Sequence, residues 1–366
     1  MSRTPRINPV ALPLALVATV AALALSLAVS PVRAQPQDSS RAPAQSSPRA
    51  QAQNPSNPAG AFPRIHLRPQ LLPGAVFRYQ IQFQTSSQTS RSGTVTDPQG
   101  PSQTVVTWNA VLRVEVLPGS GQPAANSSSP ATAAIRLRAT YEKSSATLQS
   151  DTPDPEQQSV EAQYARMEGK SMEFTLGPDG RVSDVQGLEG IVSGPDAVKA
   201  AQQWMEQFSS GASEPAAGVV PGDNWTSEDP ASTLPLAGRV WRSDSSYLRN
   251  EACPPAAPAA SSPAANPEMC AVILTQLNLI TLRAQKDPTP EQYRAEGLQT
   301  SGTWNGSGQS LNYISLQTGW VVTVTQSMSE QMDVTISPES HGGMRYAGAV
   351  NTHSSMSLLP ATENAP

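Results

Sequence analysis

Four windows of the chain alternate apolar and polar residues with period two. Phe77, Tyr79, Ile81 and Phe83 point one way, while Arg78, Gln80, Gln82 and Gln84 point the other. Val106, Trp108, Ala110, Leu112, Val114 and Val116 oppose Thr107, Asn109, Arg113 and Glu115. Ile135, Leu137, Ala139 and Tyr141 alternate with Arg136, Arg138, Thr140 and Glu142, and Met332, Val334 and Ile336 with Gln331, Asp333 and Thr335. A residue's side chain changes face at each step along a strand, so this pattern predicts antiparallel strands with one wet face. Turn residues punctuate them: Pro73-Gly74, Pro118-Gly119, Pro178-Asp179-Gly180 and Thr318-Gly319. Residues 271–282 carry Val272, Ile273, Leu274, Leu277, Leu279 and Ile280, which predicts a buried central strand too short to cross a membrane.

One segment changes period. Over 195–209, Val198, Ala201, Trp204, Met205 and Phe208 recur every three or four residues, with Lys199, Gln202, Gln203 and Glu206 on the far side. Pro195 suits the first helical position, Asp196 the positive end, and Gly211 a C-terminal stop. Two readings of this helix are open. It is a lid whose Trp204 is core, or Trp204 and Phe208 line a ligand cavity.

Composition narrows the function classes. Of 366 residues 14% are charged and 5% aromatic, with 35 Pro and 24 Gly. Globular chains carry about a quarter charged residues, so this one is poor in charge and rich in chain breakers. The formal net charge is −5 and no basic run occurs, which speaks against a nucleic-acid partner.

The N-terminus reads as an address. Arg3 and Arg6 precede an almost unbroken run of Ala, Leu and Val, and Val32-Arg33-Ala34 fits a signal-peptidase site. This predicts cleavage between Ala34 and Gln35, with an uncleaved anchor as the rival, since 20 apolar residues just span a bilayer. Residues 35–62 form a Pro/Gln/Ser/Ala linker with too little apolar surface to fold. A β-rich domain then occupies 63–359, interrupted by low-complexity loops at 119–133 and 254–268, and 360–366 is a polar tail. The mature chain is expected in the periplasm or secreted, without a transmembrane span.

Little in the chain carries chemistry. Cys253 and Cys270 are the only cysteines, and an even count in an exported chain points to a structural disulfide. No metal site is expected, because His66, His341 and His353 are scattered. Hydrolase signatures around Ser, Lys and His are missing, and no cofactor is implied. Gly306-Ser307-Gly308 lacks the third glycine of a phosphate loop and reads as a turn. Glu168, Glu173, Asp179, Asp184 and Glu189 cluster in sequence, leaving a carboxylate-dependent hydrolase as the weakest alternative.

The opening Leu72, Pro73, Gly74 and Phe77, the Gly177–Gly180 turn, the step Pro221-Gly222-Asp223 to Trp225, and the stretch from Gly302 and Trp304 to Thr318-Gly319 resemble exported bacterial proteins of unknown function built on a curved sheet. A more distant similarity runs to half-barrel lipoprotein carriers of the bacterial envelope, whose concave apolar face wraps a helix. The resemblance implies a fold, and through the carriers an acyl-chain ligand; the missing lipobox Cys sets this chain apart from them. The expectation is therefore an α+β domain, mostly antiparallel curved β-sheet, with one packing helix near 195–209. The expected function is non-catalytic: an apolar ligand, such as a lipid, or an envelope protein bound on a sheet face lined by Phe77, Tyr79, Trp108, Trp204 and Phe208. The alternative is a structural or interaction protein without a cavity, presenting its Gln/Thr/Ser-rich outer face.

Overall fold

The computed structural model describes residues 63–94, 96–97, 100–118, 134–151, 157–177, 180–191, 201, 205–206, 208, 214–231, 235–254, 267–281, 287–338 and 342–360. The expected signal segment with its cleavage site at Ala34 and Gln35, the 35–62 linker and the 119–133 loop lie outside these residues, as do most of the 254–268 loop and of the C-terminal tail. The described chain runs β1 (Val76–Gly93), β2 (Ser102–Val116), β3 (Ile135–Ser150), α1 (Gln157–Ala165), β4 (Ser171–Leu176), β5 (Val182–Gln186), a 3-10 turn (Leu188–Gly190), β6 (Asn224–Pro230), β7 (Arg239–Ala252), β8 (Met269–Thr281), α2 (Glu291–Ala295), β9 (Leu298–Ser315), β10 (Val321–Pro338) and β11 (Met344–Leu358).

All eleven described strands form one antiparallel sheet, in the order β5-β4-β3-β2-β1-β11-β10-β9-β8-β7-β6. Two meanders thus fan outward from a central seam, where β1 pairs with β11 from Tyr79↔Leu358 to Gly93↔Met344. This order has a consequence for the link between the meanders. β5 and β6 occupy opposite edges, so residues 187–223 must carry the chain across the full width of the sheet. Ten strand spacings are about 48 Å when flat, within reach of that many residues.

The link crosses the apolar face and supplies its cover. Leu188, Ile191, Ala201, Met205, Phe208 and Val219 are buried with Tyr79, Ile81, Trp108, Leu112, Leu137 and Phe174 in one core. The residues before β1 cross the same end: Leu67 and Leu71 are buried, Ile65 bridges to Val219, and the Gln70 amide donates to the Thr318 carbonyl. A smaller core lies further along the same face of β7 to β10, around Trp241, Leu279, Trp304, Met328 and Val334.

The four alternating windows fall in β1, β2, β3 and β10, and their apolar residues face the cores. Three expectations need correction or restriction. Of the helix expected over 195–209, only Ala201, Met205, Glu206 and Phe208 are described. The first three are helical, and Trp204 lies outside the described residues. A further helix that packs on the sheet, not expected from the sequence, is α1, through buried Tyr164 against Trp108 of β2, followed by buried Met167. Its apolar stripe is too narrow to show in the sequence.

Residues 271–282 do supply a strand, but β8 sits third from the β6 edge, not in the centre. It is buried on both faces only at Cys270, Ala271, Val272 and Ile273, and alternates afterwards. Gly306 and Gly308 are not a turn; they stand in the middle of β9. A Cβ on Gly306 would lie 2.5 Å from the Trp241 ring, so the missing side chain is what lets that indole lie over β9. The Gly177–Gly180 and Thr318-Gly319 turns close hairpins at different places, β4–β5 at an edge and β9–β10 inside the sheet.

Candidate functional site

Four of the five residues predicted to line a ligand site lie on the apolar face. Tyr79 and Phe208 approach at 5.3 Å between ring centroids, Phe208 stacks on Trp320 at 5.7 Å, and Phe77 meets Trp320 at 5.6 Å. Tyr79 donates its hydroxyl to the Val321 carbonyl, and burial pushes that phenol well above its ordinary range. Trp108 belongs to a separate aromatic group, 6.1 Å from Tyr141 and 5.6 Å from Tyr164. Its indole N–H donates to Ser144 Oγ at 3.0 Å, and Ser144 Oγ donates to the Tyr164 carbonyl at 2.7 Å. Tyr79, Trp108 and Phe208 are thus packed against the chain's own cover, and Phe77 is half-buried beside them.

The open grooves described here lie on the other face. Strand register puts Gln82 and Gln84 of β1 beside Asn109 and Thr107 of β2, and on the seam side beside Ser355 and His353 of β11. The row continues through Thr325 and Ser327 of β10 to Leu311 and Gln309 of β9, and Leu311 is opposite Leu274 of β8. These residues line one groove of about 650 Å³. β2 and β8 are five strand spacings apart, about 24 Å in a flat sheet. For both to line one groove, the sheet must curl toward this polar face. A second groove of about 410 Å³ shares Gln309, Ser327 and His353 with the first and runs on past Asn278 and Asn351. A third, of about 390 Å³, lies further along between Gln88, Asn305 and Gln331.

The acidic residues that suggested a hydrolase do not come together in a cleft. Glu173 accepts from Arg136 at 3.2 Å and from Arg138 at 2.7 Å, Glu168 is exposed and accepts from the Ser144 amide, and Asp184 and Glu189 are exposed; Asp179 lies outside the described residues. The carboxyl in an unusual environment is one that the sequence patterns did not single out. Glu330 of β10 points to the apolar face, is 9% exposed, and accepts from the Trp304 indole at 2.9 Å. Burial raises its pKa from 4.5 to about 7, and the Trp304 hydrogen bond opposes the shift.

The folded chain holds that proton up to about pH 7, whereas the unfolded chain loses it near 4.5. Unfolding releases a proton between those values, so stability falls as pH rises from 4.5 to 7 and levels off above, by on the order of 3 kcal/mol. Urea denaturation of the wild type and of Glu330→Gln across this range checks it. The variant loses this component of the pH slope; identical slopes would place the proton elsewhere.

Cys253 and Cys270 form the expected disulfide, with their Cα atoms 4.9 Å apart, at the end of the β7–β8 hairpin. Among the described residues no group of His, Cys, Asp and Glu is arranged to hold a metal ion, and no helix is long and apolar enough to cross a membrane.

No protein family and no curated protein matches the chain. Among solved structures, a lipovitellin described for its lipid–protein interactions aligns with a TM-score of 0.38 at 10% identity, covering 81% of this chain and 27% of that one. DynF from the dynemicin biosynthesis pathway of Micromonospora chersina aligns with a TM-score of 0.17 at 10% identity, over 86% and 94% of the two chains. A putative AttH from Nitrosomonas europaea gives 0.10 at 9% identity, over 75% and 92%. This chain spans about a quarter of the lipovitellin chain, and at these scores its function must be argued from its own residues.

Proposed function

We propose that the protein is a non-catalytic, exported binding protein that holds its ligand on the polar concave face of the sheet. The groove across β2, β1, β11, β10, β9 and β8 carries this reading. It is open and preformed, whereas the apolar face is covered by the 187–223 link. Export is supported by the signal-like N-terminus and the disulfide.

A second reading keeps a lipid on the apolar face, among Phe77, Tyr79, Trp108 and Phe208. One observation favours it. The described backbone hydrogen bonds of residues 187–219 run within the link or to Ile65, and Glu206 Oε1 accepts from the Val182 amide of the edge strand β5 at 3.2 Å, so side-chain contacts, rather than a backbone ladder, tie this stretch to the sheet. Lifting it would open the space now filled by Met205 and Phe208.

Native mass spectrometry of protein taken from an exported fraction separates the two. A bound small molecule retained by wild type and lost in Ser327→Trp, which fills the polar groove, supports the first reading. A lipid mass retained by Ser327→Trp and lost in Phe208→Ala supports the second. A bare mass in every case points to a protein partner and overturns both.

A further inference from the structure

We infer that the ligand of the polar groove is an uncharged, hydroxyl-rich polymer: a neutral glycan strand lying along the sheet face. This rests on the polar-groove reading and deepens it. Neither of the two joined grooves has an Asp, Glu, Lys or Arg in its described lining. An anionic, phosphorylated or basic ligand would leave its charge without a partner there. An acyl chain would have to desolvate Gln82, Gln84, Asn109 and Gln309 without replacing their hydrogen bonds.

What the lining offers instead is paired donors and acceptors. Each Gln or Asn amide both donates and accepts, as does each Ser or Thr hydroxyl, and a sugar hydroxyl does the same. The strand lattice repeats these groups at regular spacing, every second residue along a strand and about every 4.8 Å across strands. A repeating ligand gains from such a lattice, and a single headgroup does not. Leu274 and Leu311, opposite each other across β8 and β9, add an apolar spot in which a sugar ring's C–H face could rest; Phe83, Leu277 and Met328, also in the linings, belong to the opposite face's cores. The two grooves join through Gln309, Ser327 and His353, so the track is longer than one sugar. Described tryptophans Trp108, Trp225, Trp241, Trp304 and Trp320 belong to or pack on the opposite face's cores, so no indole platform concentrates the binding at one ring. Affinity must then accumulate over many weak contacts and grow with chain length.

The experiment is isothermal titration calorimetry of the disulfide-bonded chain with monomers and hexamers of glucose and of N-acetylglucosamine, at low and high salt. At least one hexamer binds ten-fold or more tightly than its monomer, with an affinity that salt leaves unchanged. The double variant Gln84→Ala/Gln309→Ala, which alters exposed side chains and keeps the circular dichroism of the wild type, weakens that hexamer at least five-fold. If no hexamer outbinds its monomer, or the double variant binds equally well, the glycan assignment is wrong. The broader reading fails separately, when the mass-spectrometric ligand survives Ser327→Trp. A charged or lipid mass lost in Ser327→Trp keeps the groove and rejects the glycan.

Discussion

Replacing Trp108 by Ala lowers the unfolding free energy by about 3–5 kcal/mol, the range for deleting a fully buried large aromatic. The indole is 2% exposed and packs between Tyr141 and Tyr164. Its loss leaves a hole that β2 and β3 cannot close, because a regular ladder from Val106↔Leu148 to Asn109↔Ser145 fixes their spacing. The hydrogen bond from its N–H to Ser144 also disappears. Ser144 itself ties β3 to the carbonyl of Tyr164 in α1, so a loosened indole loosens the anchor of that helix. Denaturation in urea reads the loss as a lower midpoint, and amide exchange in residues 157–165 rises with it. A cost below about 1 kcal/mol would mean that Trp108 borders open space, returning it to the list of ligand-lining residues.

Reduction of the Cys253–Cys270 bond is expected to cost about 3 kcal/mol. The two residues are 17 apart in sequence, and cross-linking a loop of that size removes about this much chain entropy from the unfolded state. The native state has little reason to rearrange on reduction, since the Cys253 amide still donates to the Glu268 carbonyl and Ala252 still pairs with Met269. The whole effect should therefore appear in the unfolded ensemble, as a shift of the urea midpoint on adding dithiothreitol and in Cys253→Ala/Cys270→Ala alike. If the double variant unfolds at the wild-type midpoint, the hairpin ladder alone holds this end of β7 and β8.

The strands most visible in the sequence were those with a clean two-sided pattern. β1, β2, β3 and part of β10 carry a wet face and a dry face over many residues, and alternation is a local property of the backbone. β9 and β11 were not, because their core-facing positions include Gly302, Gly306, Gly308 and Gly348, Ser310 and Ser354. Those small residues make sense only beside what they accommodate, such as the Trp241 ring over Gly306. The disulfide was legible from count and compartment. The lining residues were legible as large apolar positions, but which of them are core depended on where the 187–223 link passes.

Glu330 shows the same limit at a single residue. In the sequence it stands two residues before Met332, so period two sets it on the apolar face of β10, between the polar Ser329 and Gln331. The register, which opposes it to Gly306 and Val350, and the reach of Trp304 decide that the carboxyl is buried there and which group it meets.

By itself, the sequence determined that this chain makes an antiparallel sheet with one apolar and one Gln/Thr/Ser-rich face, closed by a disulfide, because hydrophobic period, turn residues and cysteine count act over short stretches of chain. The tertiary structure alone decided that β1 pairs with β11 across most of the chain's length, that β5 and β6 end at opposite edges, and that the link between them covers the apolar face. It also decided that the polar face curls into a groove. These outcomes depend on how eleven strands sum their twist and on contacts between residues far apart, neither of which leaves a periodic mark on the sequence.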